Sequence, residues 1–431
     1  MPLFAKRDVA PTIAELLTRF LGTSLPIGLR AWDGSTAGPQ DGPVVVLRSR
    51  RALRRLLWDP SELGLARAYV SGDIDVHGDL TEGLRRFWAM LRQTPHRPRL
   101  TLAEWGDALR AALSLGVLGP RPTPPPEEAR LSGRLHTRLR DRAAIAHHYD
   151  LGNDFYRAVL DPQMAYSCAY WTSDDPDYTL TDAQRDKLDL ICRKLELRPG
   201  QRLLDVGCGW GSLIIHAARH YGVHAVGVTL SREQAEFDRA RVIQYGLSDQ
   251  VEVRLQDYRE ITGEPFDAVS SIEMGEHVGE EHYPVYAATL HRMLTPAGRL
   301  LLQQMSRGAV APGGGAFIES YIAPDMTMRP LGRTLDHLTG AGFEVRDVEA
   351  LREHYTRTIR AWGDTVDRRA ERLTAIAGAG QVRVWRLYLA GGALAFEENR
   401  MGVDQILAVR TTVDGHSAMP PTRSFLSAVA R

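Results

Sequence analysis

The stretch Leu203-Leu204-Asp205-Val206-Gly207-Cys208-Gly209-Trp210-Gly211-Ser212 decides the fold. An apolar run ends in an acid and passes at once into Gly-x-Gly-x-Gly, and an amphipathic segment follows from Leu213 to Tyr221. That order predicts a strand, a tight turn and a helix start. Glycines let the backbone approach a ligand closely, and a new helix N-terminus offers unpaired N–H groups. A small cofactor bound on a doubly wound sheet is the reading that follows.

Downstream, strand and helix patterns alternate. Strands are expected at 202–206, 224–229, 251–255, 267–272 and 298–304, with later ones at 343–349 and 404–412. This alternation predicts an α/β domain with a mostly parallel, seven-stranded sheet. A helical insert at about 352–398, rich in aromatics (Tyr355, Trp362, Trp385, Tyr388, Phe396), interrupts the last strands. Upstream, residues 1–118 read as a smaller α+β domain, with a strand at Val44-Val45-Val46-Leu47 and helices at 49–58 and 102–115. In the helix at 49–58, Leu53, Leu56 and Leu57 are expected inside and Arg50, Arg51, Arg54 and Arg55 outside. Residues 119–129, opening Gly119-Pro120-Arg121-Pro122, read as a stiff linker to a domain over 130–431.

The gross composition bounds the classes. The chain has 431 residues, 44% hydrophobic and 25% charged, with zero formal net charge. No apolar run reaches the roughly 18–20 residues of a membrane span. The first residues, Met1-Pro2-Leu3-Phe4-Ala5-Lys6-Arg7-Asp8, are too charged for a signal peptide. The cysteines Cys168, Cys192 and Cys208 are scattered and form no CxxC pair, so a reducing, cytoplasmic setting is expected. No nucleic-acid partner is expected. Among 53 basic residues the lysines are Lys6, Lys187 and Lys194 alone, which a high-GC coding sequence explains.

The glycine spacing bears on the cofactor. A nicotinamide fingerprint wants Gly-x-Gly-x-x-Gly and an acid at the tip of the second strand. Here the glycines are Gly207, Gly209 and Gly211, and the second strand ends Val228-Thr229-Leu230-Ser231. Thr229, Ser231 and Gln234 offer neutral partners for ribose hydroxyls, and Gln256-Asp257-Tyr258 at the third strand's end faces an adenine edge. The pattern fits S-adenosylmethionine better than NAD.

With these residues assembled, the chain resembles the cyclopropane fatty-acid synthase and mycolic-acid methyltransferase family from about His147 to the C-terminus. The resemblance is carried by His148-Tyr149-Asp150-Leu151-Gly152-Asn153, Tyr166-Ser167-Cys168-Ala169-Tyr170-Trp171, the glycine loop, Glu276-His277-Val278-Gly279, Phe317-Ile318-Glu319-Ser320-Tyr321 and His354-Tyr355-Thr356-Arg357-Thr358. Residues 1–118 match loosely, through Leu65-Ala66-Arg67-Ala68-Tyr69 and Gly72-Asp73. The resemblance implies a Rossmann-like class I methyltransferase fold, a helical insert at the lipid site, and an N-terminal domain tied to lipid binding and dimer assembly. It implies methyl transfer from S-adenosylmethionine to a cis double bond of an acyl chain, usually in a phospholipid, through a carbocation. It adds Tyr166, Ser167, Asp205, Leu230 and Ile272 to the cofactor set and Met305 to the reaction site. Tyr166, Tyr170, Trp171 and Tyr355 are the aromatic candidates for cation stabilisation.

In the resembling synthases the base that removes the surplus proton is a bicarbonate held by a Cys backbone, a Glu, a His and a Tyr. The matches are Cys168, Glu276 and Tyr355, while Gln303 stands in the histidine's place, within Leu301-Leu302-Gln303-Gln304-Met305. An amide donates a hydrogen bond to an anion but carries no charge, so the anion site is altered or the base differs. A family cysteine of the late insert is replaced by Gly392, which excludes a covalent route through that thiol. Cys168 has no histidine placed to activate it as a nucleophile. Glu273, Glu276, His277 and His282 cluster after a strand, yet neither an HExxH pattern nor the resemblance supports a metal.

Gln303, the missing cysteine and the long N-terminal domain favour a methylene or methyl branch over a cyclopropane ring. A methylene product would need a separate reductase to become a methyl branch. Two rivals remain at this point: methylation of a soluble metabolite at oxygen or nitrogen, and a lipid-binding protein whose transferase site has decayed. The arginine stripe Arg130, Arg134, Arg138 and Arg142, and the basic helix at 49–58, are expected to meet anionic headgroups on the inner face of the membrane. A homodimer is expected through resemblance alone.

Overall fold

The computed structural model describes residues 8–93, 102–129, 140, 151–309, 311–312 and 314–423. Contacts divide the chain into two compact units, Met1–Glu128 with Gly378–Leu394, and Ala129–Ala377 with Ala395–Arg431.

In the first unit, strands Gly28–Arg30, Thr36–Ala37, Val44–Leu47 and Ile74–His77 form one sheet. Helices Val9–Leu21, Arg50–Trp58, Glu62–Val70, Leu80–Gln93 and Leu102–Ser114 accompany it. The core gathers Val9, Ile13, Leu29, Leu47, Ala52 and Ile74. The helix at 50–58 departs from the expected facing. Arg55 is buried and its Nε donates to Asp73 at 2.9 Å, with Arg51 Nε on the same carboxylate at 2.8 Å, while Leu57 is exposed. Asp73 is itself buried, and a buried carboxylate requires charge-paired donors, so guanidinium groups take inward positions that periodicity gives to leucine. Arg54 donates to the carbonyls of Val117 and Leu118. Of this helix's expected outward arginines, three are therefore committed within the unit.

Residues 119–128 are held to the first unit by hydrogen bonds. Trp58 Nε1 donates to Gly119 O at 3.0 Å, Arg55 to Thr123 O at 2.8 Å, and Arg67 pairs with Glu128. Gly378–Leu394, inside the segment read as one insert, also belongs to this unit. Its Arg383 donates to the carbonyls of Tyr69 and Ile74 and lies over the Tyr69 ring, 4.1 Å from the centroid.

The second unit is built on seven strands: β1 Arg202–Val206, β2 His224–Thr229, β3 Val251–Leu255, β4 Phe266–Ile272, β5 Leu294–Ser306, β6 Glu344–Ala350 and β7 Gly402–Val409. Their order across the sheet is β6-β7-β5-β4-β1-β2-β3, with β7 antiparallel to both neighbours and the remaining pairings parallel. Successive side chains alternate between two cores. Leu203 and Leu301 face one side with Leu188, Ile191 and Ile214; Leu204, Leu300 and Leu302 face the other with Tyr283 and Tyr286. Helix α1, Leu180–Leu195, packs on the first of these faces. It carries Lys187 and Lys194 two turns apart, both fully buried. The strand order reverses between β4 and β1, and parallel sheets open a crevice at the carboxyl ends of the strands at such a point. The helical segment after β6 starts with α2, Arg352–Arg368.

The expected arginine stripe at 130–142 and His147, His148 and Asp150 lie outside the described residues, Arg140 excepted. Arg140 makes a two-pronged bond to Asp325 at 2.6 and 2.9 Å. No helix among the described residues is long and apolar enough to cross a membrane.

Candidate active site

The crevice is occupied by a cleft of about 1260 Å³ of empty space, counted to its open mouth. Most residues expected to bind the cofactor line it: Tyr166, Ser167, Asp205, Gly207, Gly209, Thr229, Leu230, Gln234, Gln256 and Ile272. Asp205, Gly207, Gly209, Thr229, Leu230, Gln256 and Ile272 arrive from a strand's carboxyl end or the turn after it, Gln234 from the first turn of the helix Arg232–Gln244, and Tyr166 and Ser167 from the segment that precedes α1. Gly207 and Cys208 turn back to β2, both N–H groups donating to Val228 O at 3.0 Å. Gly207 has φ +83, and a Cβ there would sit 2.7 Å from Met274 Cγ. Gly211, at φ +73, starts the helix Ser212–Tyr221 from the left-handed region, and Ser212 and Leu213 line the cleft.

Gly211, Ser231 and Asp257 stand outside the lining and serve it indirectly. A Cβ on Gly211 would press on the Asp238 carboxylate at 3.0 Å. Ser231 Oγ caps the following helix by accepting from Gln234 N at 3.2 Å. Asp257 accepts from Arg259 N, Nε and Nη2 at 2.9, 2.8 and 2.6 Å, so its carboxylate positions Arg259, which does line the cleft.

Two features fit S-adenosylmethionine. At Gly209, φ +57, a Cβ would meet nothing within 4 Å, which leaves room for a ligand against the bare backbone. Gln234 is buried, its Oε1 accepts from Thr229 Oγ1 at 2.8 Å, and its Nε2 has no partner. An amide N–H₂ buried without an acceptor is costly, and a ribose hydroxyl would supply that acceptor. Asp205 adds negative character: burial raises its pKa to about 6, against the Ser270 hydroxyl at 2.7 Å and the Lys187 charge, which hold it down.

Rings close one side. Tyr166 lies 5.6 Å from Tyr156, 6.5 Å from Trp210 and 5.2 Å from Trp362, and Trp362 lies 6.2 Å from Tyr355. Of the four expected cation-stabilising rings, Tyr166 lines the cleft. Tyr170 instead stacks on His354 and donates to Glu349 at 3.1 Å, and Trp171 Nε1 donates to Thr358 at 3.1 Å.

The expected reaction group is arranged differently from the sequence reading. The carboxylate that meets Cys168 and Tyr355 is that of Glu273, three residues before Glu276. Its Oε1 accepts from Cys168 N at 2.8 Å and from Gln303 Nε2 at 2.7 Å, and its Oε2 accepts from Tyr355 OH at 2.6 Å. Glu273 lines the cleft; Cys168, Gln303, Tyr355, Glu276 and Met305 do not. The register pairs Ile272 with Gln303, and Glu273 N donates to Gln303 O at 2.7 Å, which brings the two side chains together. The bond of Glu276 goes to Met305 N–H at 2.5 Å, its Oε2 has no partner, and it is fully buried. Burial first, then the Glu273 charge, raise the Glu276 pKa to about 8. The Cys168 thiol is pushed up by burial and donates to Ala169 O and Leu351 O, so its contribution is the backbone N–H.

Sequence reasoning missed Glu273 as the centre of this group, and it missed both buried lysines. Lys187 Nζ donates to Ser167 Oγ at 2.9 Å beside Asp161, Asp205 and Glu273. Lys194 Nζ donates to Glu349 at 2.5 Å and to Gln405 Oε1 at 2.9 Å. In an arginine-rich chain, two lysines seven residues apart on one helix were the available signal.

Fold and cleft together define a methyl-donor-binding α/β enzyme domain. The family described as mycolic acid cyclopropane synthetase matches residues 136–406. A Mycobacterium tuberculosis protein described as a "probable fatty acid methyltransferase" is 38% identical over 420 residues, 95% of this chain and 97% of its own. The cyclopropane-fatty-acyl-phospholipid synthase of Escherichia coli is 37% identical over 267 residues, 57% of this chain and 67% of its own. A solved mycolic acid cyclopropane synthase, complexed with S-adenosylhomocysteine and CTAB, superposes with a TM-score of 0.58 at 32% identity, covering 62% of this chain and 97% of that one. The chain belongs to the mycolic acid cyclopropane synthetase family. It is an S-adenosylmethionine-dependent methyltransferase of this lipid-modifying family.

Proposed function

We propose that the protein methylates the cis double bond of an unsaturated phospholipid acyl chain and releases a methylene- or methyl-branched acyl product. The observation that carries this reading is the pair of rings Tyr166 and Trp210, which line one cofactor cleft with the Glu273 carboxylate while Trp362 packs behind Tyr166 at 5.2 Å. S-adenosylmethionine supplies the methyl group as an electrophile. An alkene is a weak nucleophile, so the site must hold it close and dry. Methyl addition leaves positive charge on carbon, which aromatic faces stabilise. Gly207, Gly209, Thr229, Gln234 and Gln256 are the residues that hold the donor; Glu273, with Cys168, Gln303 and Tyr355 behind it, organises proton removal.

A branched product is favoured over a ring by the neutral Gln303 and by two relatives that match 95% of the chain, each described as a probable fatty acid methyltransferase. Work on a bilayer lipid requires the protein to meet a membrane surface, which this reading puts at the inner face from the cytoplasm, and a methylene product requires a separate reductase to become a methyl branch. The test is incubation of the purified chain with isotopically labelled methyl donor and oleoyl phospholipid vesicles, followed by mass spectrometry of the acyl chains. Label in an open-chain product one carbon heavier supports the reading; label in a ring supports cyclopropane formation. Label confined to a water-soluble acceptor sinks both, and vesicle binding without donor binding identifies a decayed enzyme.

A further inference from the structure

We infer that the carboxylate of Glu273 is the proton acceptor of this reaction, a base built into the chain in place of an anion taken from solution. The inference rests on the alkene reading above. For a methylene product, a hydride first moves from the methylated carbon to its cationic neighbour. A C–H bond of the added methyl group then breaks, its electron pair becomes the second bond of the new C=C, and the proton passes to a carboxylate oxygen of Glu273. The resulting acid returns the proton to solvent after product leaves. Charge and atoms balance without a further reagent.

Four observations converge on this residue. Glu273 lines the cleft beside Asp205, Ile272 and Met274. The three groups expected to hold a bicarbonate, Cys168 N–H, Tyr355 O–H and the side chain at 303, all donate to its two oxygens. A second anion there would face both a lack of those donors and the charge of Glu273.

The direction of the Gln303 amide is fixed by chemistry at a distance. Lys194 has donors alone, so Gln405 must turn its Oε1 toward it, at 2.9 Å. That leaves Gln405 Nε2 to donate to Gln303 Oε1 at 2.9 Å, and Gln303 Nε2 to donate to Glu273. A relay begun by a buried ammonium therefore ends in a donor aimed at the carboxylate and favours its ionised form. Finally, Glu273 has φ +51, a left-handed conformation that strains a residue with a Cβ and suits glycine. The chain carries that strain at the residue whose carboxylate meets Cys168, Gln303 and Tyr355 at the cleft. Burial raises the Glu273 pKa while its three donors and Lys187 oppose the rise, which leaves a carboxylate more basic than one in water.

The experiment compares wild type with Glu273→Gly and Glu273→Gln in buffer stripped of carbon dioxide and in buffer with added bicarbonate. Turnover is measured on labelled lipid, binding of ¹³C-bicarbonate by NMR, and donor binding by calorimetry. Wild-type turnover is expected to be equal in both buffers, with no bound bicarbonate signal. Glu273→Gln keeps donor binding and loses about 10²-fold or more in turnover, the range of general-base catalysis, and bicarbonate does not rescue it. Glu273→Gly, relieved of backbone strain, opens the anion site, binds ¹³C-bicarbonate and regains turnover with it. Wild-type turnover that collapses without bicarbonate, a bicarbonate signal in wild type, or undiminished turnover in Glu273→Gln would each overturn the inference. If wild type labels no lipid at all, the alkene reading fails instead, and the ¹³C comparison still decides whether Glu273 fills the anion site. Should Glu273→Gly not fold, the wild-type and Glu273→Gln arms decide alone.

Discussion

Glu276→Gln is expected to change the pH dependence of stability by an amount the structure sets. The Glu276 carboxyl is fully buried, one oxygen on Met305 N–H and the other without a partner, three residues from the charge of Glu273. Its pKa rises from 4.5 to about 8 on folding. Between those values the folded chain holds about one proton more than the unfolded chain, so stability falls as pH rises. The contribution is complete below the unfolded value and is lost progressively up to the folded one. Each pH unit inside that window is worth about 1.4 kcal/mol, so wild type loses about 2 kcal/mol relative to Glu276→Gln between about pH 5.5 and pH 7. Glutamine keeps an acceptor for Met305 N–H and leaves its amide N–H₂ unmatched. This is a cost of about 1–3 kcal/mol that does not vary with pH. It displaces the variant's curve without tilting it. The assay is urea unfolding at several pH values, read on the transition that moves to higher urea when S-adenosylmethionine is added, because two units need not unfold together. A wild-type-minus-variant difference that stays flat across this range would show that Glu276 is not held protonated in the fold.

Gly207→Ala places a Cβ 2.7 Å from Met274 Cγ at φ +83; donor affinity should drop at least about tenfold by calorimetry, with stability lowered by roughly 1–3 kcal/mol. Gln234→Leu removes the one buried amide N–H₂ of the cleft that lacks a partner and the acceptor of Thr229. Donor Kd should rise about tenfold, the worth of one or two hydrogen bonds, while a Kd unchanged from wild type would remove Gln234 from the cofactor set. Cys168, Cys192 and Cys208 are all buried, and burial raises each thiol pKa. A thiol reagent such as DTNB should therefore titrate none of them in the folded protein and all of them in urea.

The sheet was legible because each strand is apolar, short and bounded by turn residues. β1, β2 and β3 fall at 202–206, 224–229 and 251–255, as expected from pattern. β5 runs longer than the expected 298–304, from Leu294 to Ser306, because Leu294 already pairs with Phe266 of β4 and pairing with β7 continues past the apolar run to Ser306 opposite Gly402. Periodicity erred at Arg55, since it places charge outward, and the reason for an inward guanidinium lies in Asp73, a separate segment. The membership of Gly378–Leu394 in the first unit depends on Arg383 reaching the carbonyls of Tyr69 and Ile74, more than 300 residues apart in sequence. Local pattern holds no record of such a contact.

The cofactor residues could be read off the chain because they sit at strand ends, where topology alone decides what faces the crevice. The reaction group could not, because Glu273 and Glu276 share one turn and the matching motif contains Glu276. The fold separates them: Glu273, at φ +51, reaches Cys168 and Tyr355, while Glu276, in the turn Gly275–His277 that follows, meets Met305 N–H. The clue that was present in the sequence is a matter of charge. A histidine replaced by Gln303 removes a group able to carry positive charge from an anion site, and a free anion would then be held by neutral donors alone. A carboxylate tethered to the backbone does not need that charge, since its binding costs no loss of translational freedom. Gln303 and Glu273 therefore act as one unit: the amide suffices because the anion is covalent, and the buried Lys194, acting through Gln405, restores from a distance the polarity that the missing histidine would have supplied at contact.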